Sequence, residues 1–222
     1  MPRLIVDIET IGFDFESFDA KNQDYLLKFA NTEEEKEDAI KRLGLYPLTG
    51  EIVTIGLLNP DTMKGQILFQ DKDQKIANFQ ENGFSFEAGT ERDILDKFWQ
   101  AVKSYDQIIT FNGRTFDIPF LMLRSAVNSI RISRNLMGYR YDFKKHCDLL
   151  EQLTFYGATR KYSLDFYAKS FGISSSKDGG TDGSMISDLY KEGKYLEVAR
   201  YCSRDLFTTK ELYERWEQYL KV

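Results

Sequence analysis

No stretch of the chain narrows its fold more than Arg3-Leu4-Ile5-Val6-Asp7-Ile8-Glu9-Thr10. Leu4, Val6 and Ile8 alternate with Ile5, Asp7 and Glu9, a mostly apolar run suited to the middle of a sheet. Asp7 and Glu9 then face the same side, about 6 to 7 Å apart along the backbone. Two carboxylates on one face of a buried strand repel each other and lose hydration. That is tolerable at an open strand end where they share a cation, since hard divalent ions take oxygen ligands. From the strand alone two readings stay open: a shared cation, or a terminus that fans its acids into water.

The rest of the composition bounds the setting. With 222 residues, 42% of them hydrophobic, the chain can bury a full-sized core in one domain, which excludes disorder and a disulfide-stapled mini-fold. Its longest apolar-looking run, Ile52 to Leu58, is too short to cross a bilayer, and Met1-Pro2-Arg3 leads straight into the first strand, so no membrane or export route is expected. Cys147 and Cys202 form no CxxC pair, and a reducing, cytoplasmic setting is the expectation. Thirty Lys and Arg against 35 Asp and Glu give a net charge of −5, which excludes broad phosphate neutralisation as a way of gripping nucleic acid. Any polyanion must therefore be bound locally. Clustered acids around divalent cations can still accept a phosphodiester.

Along the chain, 19–44 reads as helical with Gly44 as its stop, part of a helical insert at about 14–49. Glu51 to Leu58 and Gln66 to Phe69 read as an antiparallel pair, and 71–83 as a polar connection. Thr90-Glu91-Arg92-Asp93 resembles a capping box before a helix, and Gln107 to Phe111 is a further strand. Phe116 to Ala126 has helix character, His146 to Leu150 carries a short strand end, and Ser163 caps a helix reaching Phe171. The run 174–184 reads as a mobile loop, and Tyr195 to Tyr219 as a last long helix. No linker divides the chain, so residues 1–222 are expected to form one domain.

On that last helix Tyr201 and Asp205 stand four apart and share a face. Ordinary amphipathicity would produce the same spacing. Asp117 falls at the first turn of the Phe116 to Ala126 helix, where a negative charge suits the helix dipole. Asp7-Ile8-Glu9-Thr10, then Asn112-Gly113 with Phe116-Asp117, then Tyr201-Cys202-Ser203-Arg204-Asp205 follow in order on strand, turn-to-helix and helix. Taken together they resemble the DEDDy branch of the DnaQ-like 3′-to-5′ exonucleases, specifically the editing domain of family B DNA polymerases and its stand-alone relatives. The DxE, NGxxFD and YxxxD motifs of that branch span Asp7 to Asp205 here.

The resemblance implies an α/β, ribonuclease H-like fold: a mixed five-stranded sheet, its first three strands antiparallel, with helices on both faces. It implies that Asp7, Glu9, Asp117 and Asp205 bind two Mg²⁺ or Mn²⁺ ions, Asp7, Glu9 and Asp205 holding one and mainly Asp7 and Asp117 the other. Tyr201 would orient the attacking water; a phenol with an ordinary pKa near 10 is a poor base at neutral pH. The DEDDh branch is excluded, because Arg200 stands where its histidine would fall. The resemblance further assigns Thr10 to the terminal 3′ hydroxyl, Asn112 to the terminal nucleotide and Phe116 to a base, although Phe116 serves equally as core. Asp148 reads as an acid supporting the site from behind it or, preferably, as a helix cap, Cys202 as packing, and Lys161 and Lys177 as candidate phosphate contacts or solvated charges.

The expected activity is metal-dependent 3′-to-5′ exonuclease action on a single-stranded DNA or RNA end, because a few unpaired nucleotides fit a narrow cleft without a large basic surface. Any proofreading would need a partner in DNA repair or replication. A ribonuclease H-type endonuclease and an inactive nucleic-acid-binding module are the alternatives.

Overall fold

The computed structural model describes residues 1–175, 177, 180 and 182–221. Its centre is one mixed sheet: β1 (Arg3–Gly12), β2 (Gly50–Asn59), β3 (Lys64–Gln70), β4 (Phe79–Glu81), β5 (Phe84–Gly89), β6 (Gln107–Thr110) and β7 (His146–Asp148), in the order β4-β5-β3-β2-β1-β6-β7. The first three strands are antiparallel, as expected, while β6 runs parallel to β1 and β7 parallel to β6. The sheet is α/β and ribonuclease H-like, but it has seven strands rather than five. The two extra strands lie partly in the run read as a polar connection: β4 and β5 turn on Asn82 and Gly83, both at positive φ, and β5 buries Phe84 and Phe86 on alternate positions.

Among the described residues eight α-helices flank the sheet. The insert holds α1 (Ala20–Leu26) and α2 (Glu33–Lys41), the second started by a Thr32–Glu35 capping box, with a 3-10 turn, Arg42–Leu45, at its end. Next come α3 (Glu91–Val102), α4 (Asp117–Val127), α5 (Leu149–Leu153), α6 (Leu164–Ser170), α7 (Ile186–Lys191) and α8 (Tyr195–Tyr219). The caps read from sequence are present at Thr90, Asp148 and Ser163. Of the run 174–184, residues 176, 178, 179 and 181 lie outside the described residues; Gly183–Met185 forms a 3-10 turn leading into α7. No described helix is long and apolar enough to cross a membrane.

Strand alternation sorts the core onto two faces. Leu4, Val6 and Ile8 of β1 pack with Phe98, Trp99 and Leu121 of α3 and α4. Ile5 and Ile11 join Leu206, Leu212 and Trp216 of α8 on the other face. Asp7 and Glu9 share the face of Ile5, so they point at α8. Directly across from Asp7 on β2 stands Gly56, and a Cβ built there would lie 2.6 Å from Cys202 Sγ and 2.8 Å from Leu206 Cδ1. Only a residue without a side chain lets α8 come this near the sheet. Gly56→Val should therefore cost about 1–3 kcal/mol in urea unfolding, the range for an overpacked core. Gly138→Ala, at a position with nothing within 4 Å, should be neutral by the same measurement.

Candidate active site

Three elements bring their acids to one place. β1 delivers Asp7, half-buried, and Glu9, buried. The β1–β2 pairing slips immediately after Glu9, passing from Glu9↔Thr54 to Thr10↔Ile52. α8 delivers Tyr201 and Asp205, both buried, with the Tyr201 hydroxyl hydrogen-bonded to Asp205 and the Arg204 guanidinium 5.7 Å from the Tyr201 ring centre. α4 delivers Asp117 as its first residue, buried, its carboxylate accepting from its own backbone N–H and from that of Ile8.

The electrostatics follow from this crowding. Loss of hydration, then repulsion from Asp205 and Asp117, holds the Asp7 carboxyl well above the ordinary carboxylate range. Burial and then the charge of Asp7 do the same to Glu9. Asp117 is pushed up to about 8, chiefly by burial. Tyr201 and Cys202 are raised as well, by burial first and then by the carboxylates beside them, so both are neutral at pH 7. Cys202 is more than packing: its thiol points at Asp7 Oδ2 at 3.5 Å, and Asp7, Glu9 and Cys202 have ligand atoms within 4.8 Å of one another. The neighbours that disturb Asp7 and Glu9 most are further acids. Carboxylate oxygens gathered this closely form a donor set that fits a hard divalent ion, whereas a protonated thiol suits one poorly.

The turn before Asp117 is held by Asp148, which fills both of the roles its sequence position suggests. Asp148 does cap α5, accepting from Leu150 N–H at 3.0 Å, but it also accepts from Asn112 N–H at 3.0 Å and Arg114 N–H at 2.9 Å. It thereby fastens a turn in which Asn112 has a φ of 63° and a Cβ on Gly113 would strike Thr110 at 2.4 Å. His146, the single histidine, is buried beside this turn with Nε2 2.9 Å from Thr110 Oγ1, and burial depresses it to about 3, so it stays neutral. Arg114 was not singled out by any motif position. It is buried, faces Glu151 at 3.4 Å and donates to the Met137 carbonyl at 2.7 Å.

A groove of about 920 Å³ opens beside Glu9 and Thr10. Phe13, Phe15 and Phe116 contribute aromatic lining, while Lys41 from the insert and Lys191 from α7 contribute cations. The Thr10 hydroxyl donates to the Gly44 carbonyl at 2.6 Å, and Asn112 Oδ1 accepts from Thr115 at 2.7 Å. Phe116 is half-buried and packs 5.5 Å from Phe120, so it is both core and groove wall. Lys177 pairs with Asp182 at 3.8 Å, and Lys161 is exposed; neither lines the groove.

Residues 62–221 match the model of a family described as a predicted 3′-5′ exonuclease related to the exonuclease domain of PolB. The chain belongs to this family. The matched region holds Asp117, Tyr201 and Asp205, while Asp7, Glu9 and the insert lie before it. DNA polymerase 1 of Saccharolobus solfataricus is 26% identical over 137 aligned residues, covering 54% of this chain and 15% of the polymerase.

A carboxyl whose pKa is raised by folding stabilises the fold while protonated. That contribution is lost as pH rises from the ordinary value of 3.8 toward about 8 for Asp117. Asp117→Asn is neutral throughout, so in EDTA its stability advantage over the wild type should widen between pH 5 and pH 8 by more than about 1 kcal/mol. Urea titrations at the two pH values check this, and a constant difference would contradict it.

Proposed function

We propose that this protein removes nucleotides from the 3′ end of single-stranded nucleic acid with two divalent cations, Mg²⁺ or Mn²⁺, as a DEDDy-type phosphodiester hydrolase. The observation that carries the reading is the meeting of Asp7, Glu9, Asp117, Asp205 and Tyr201 in a member of this exonuclease family. Asp7, Glu9 and Asp205 would hold one ion, and Asp7 with Asp117 the other. Bound there, such ions lower the pKa of the attacking water and offset charge on the phosphate and the leaving 3′ oxygen.

The chain's own groups do the positioning. Tyr201, kept neutral by burial and hydrogen-bonded to Asp205, orients water and does not act as the base. Thr10, whose hydroxyl proton is given to Gly44, accepts from the terminal 3′ hydroxyl, and the Asn112 amide donates to the terminal nucleotide. Phe116 meets a base across the groove. Lys41 and Lys191 contact the strand's phosphates, which gives the insert at about 14–49 its role as one wall of a single exonuclease domain. Two buried thiols suit a reducing cytoplasm, and editing or repair would enlist a polymerase or repair protein as partner.

A 5′-labelled oligonucleotide tests the reading. With Mg²⁺ or Mn²⁺ it should shorten stepwise from its 3′ end, and with EDTA it should stay intact. Asp7→Ala should abolish the ladder, and Tyr201→Phe should slow it at least about tenfold while leaving cation binding in place. Cutting of a covalently closed circle would favour an endonuclease, and binding without cleavage an inactive module. Separately, the Lys41→Ala, Lys191→Ala double variant should raise KM about tenfold with kcat nearly unchanged, since uniform binding is what it removes.

A further inference from the structure

Between α4 and α6 the chain reverses its charge. The stretch 131–161 has seven Lys and Arg against three Asp and Glu, in a protein whose net charge is −5. Two of those acids, Asp148 and Glu151, are buried, whereas Arg131, Arg140, Lys144, Lys145, Arg160 and Lys161 are exposed. The outward surface of the stretch is thus almost wholly cationic.

The same stretch displays aromatic rings. Tyr139 is 73% exposed and Tyr141 53%, and their ring centres lie 5.6 Å apart. Tyr141 is in turn 4.7 Å from the Tyr156 ring, whose hydroxyl accepts from Gln152 Nε2 at 2.9 Å. Grouped tyrosines bared to solvent forgo the burial such rings normally gain.

This platform is tied rigidly to the candidate site. Arg114, in the turn that leads to Asp117, donates to the Met137 carbonyl at 2.7 Å, two residues before Tyr139. Arg114 also faces Glu151 at 3.4 Å, and the other oxygen of Glu151 holds Arg140 at 2.7 Å, between the two exposed tyrosines. The platform therefore keeps a set position relative to the turn.

The geometry points to a second binding site for single-stranded nucleic acid on Tyr139, Tyr141 and Tyr156, with Lys144 and Lys145 taking phosphates. Bases stack on tyrosine faces without regard to sequence, and cations beside them follow the backbone. An acidic peptide would use the lysines but gives no reason for three grouped rings. The inference rests on the exonuclease reading for one point alone, that the strand held here is the part upstream of the 3′ end in the groove.

The test compares wild type with the Tyr139→Ala, Tyr141→Ala double variant and with Lys144→Ala, Lys145→Ala. Affinity for a fluorescent single strand of about 20 nucleotides, longer than the ~4–16 one single-strand fold covers, is read by anisotropy in EDTA, with DNA and RNA in parallel. The tyrosine variant should bind at least about tenfold more weakly, the loss of about one stacked base. The lysine variant should flatten the dependence of log affinity on log salt by about one unit. Turnover of a trinucleotide with Mn²⁺ should be unchanged in both, and melting temperature should match the wild type. Undiminished affinity in the tyrosine variant overturns the platform, and so does an equal loss on the trinucleotide, which would mean the rings only support the fold. If the wild type binds through the platform yet never cleaves with Mn²⁺, the exonuclease reading falls and the platform stands.

Discussion

Negative charge held together against its own repulsion is the constraint on which the rest of this structure depends. Asp7, Glu9, Asp117 and Asp205 come from strand, helix start and helix middle, and burial raises the pKa of the first three. The opposing force is apolar packing on both sides of the sheet. Leu206, Leu212 and Trp216 anchor α8 on one face, and Ile118 and Leu121 anchor α4 on the other. Gly56 sets how near α8 can approach, since the space a side chain would need is filled by Cys202 and Leu206.

Around that centre, rigidity and charge are divided between different residues. Asp148 uses one carboxylate to cap α5 and to hold the Asn112–Arg114 backbone, so the turn preceding Asp117 is set from a strand and helix that follow it by more than thirty residues. Arg114 extends the same fastening outward to Glu151 and to the chain near Met137. In the proposed reading an acidic protein would hold nucleic acid through local cations, Lys41 and Lys191 in the groove and the lysines and arginines of the 131–161 surface, rather than by overall charge.

How much of this was legible in the sequence depended on range. Asp7 and Glu9 on an apolar strand, and Tyr201 and Asp205 one helical turn apart, are local patterns, and both elements formed where the spacing placed them. The Thr90, Asp148 and Ser163 caps are equally local. β5 does carry the strand alternation in Phe84-Ser85-Phe86-Glu87, but over so few residues, straight after a polar run, that it was passed over, and α7 was passed over because a short helix after a Gly- and Ser-rich run has little periodicity to show. Across long separations only the ordered motifs linked Asp7 and Glu9 to Asp205; the particular contacts of the Cys202 thiol with Asp7, 195 residues away, and of Asp148 with the turn 34 to 36 residues before it have no local pattern that announces them. Arg114 lies inside a recognisable motif but at a variable position of it, so its burial was invisible.

The central claim is that this crowd of acids exists to take divalent cations, and counting bound Mn²⁺ by electron paramagnetic resonance while following thermal unfolding tests it most directly. The account predicts two Mn²⁺ per chain and a melting temperature in saturating Mn²⁺ well above that in EDTA, since about 2.7 kcal/mol is gained at a hundredfold excess over Kd. A chain that takes up no Mn²⁺ at millimolar concentration, and melts at the same temperature with and without EDTA, would contradict it.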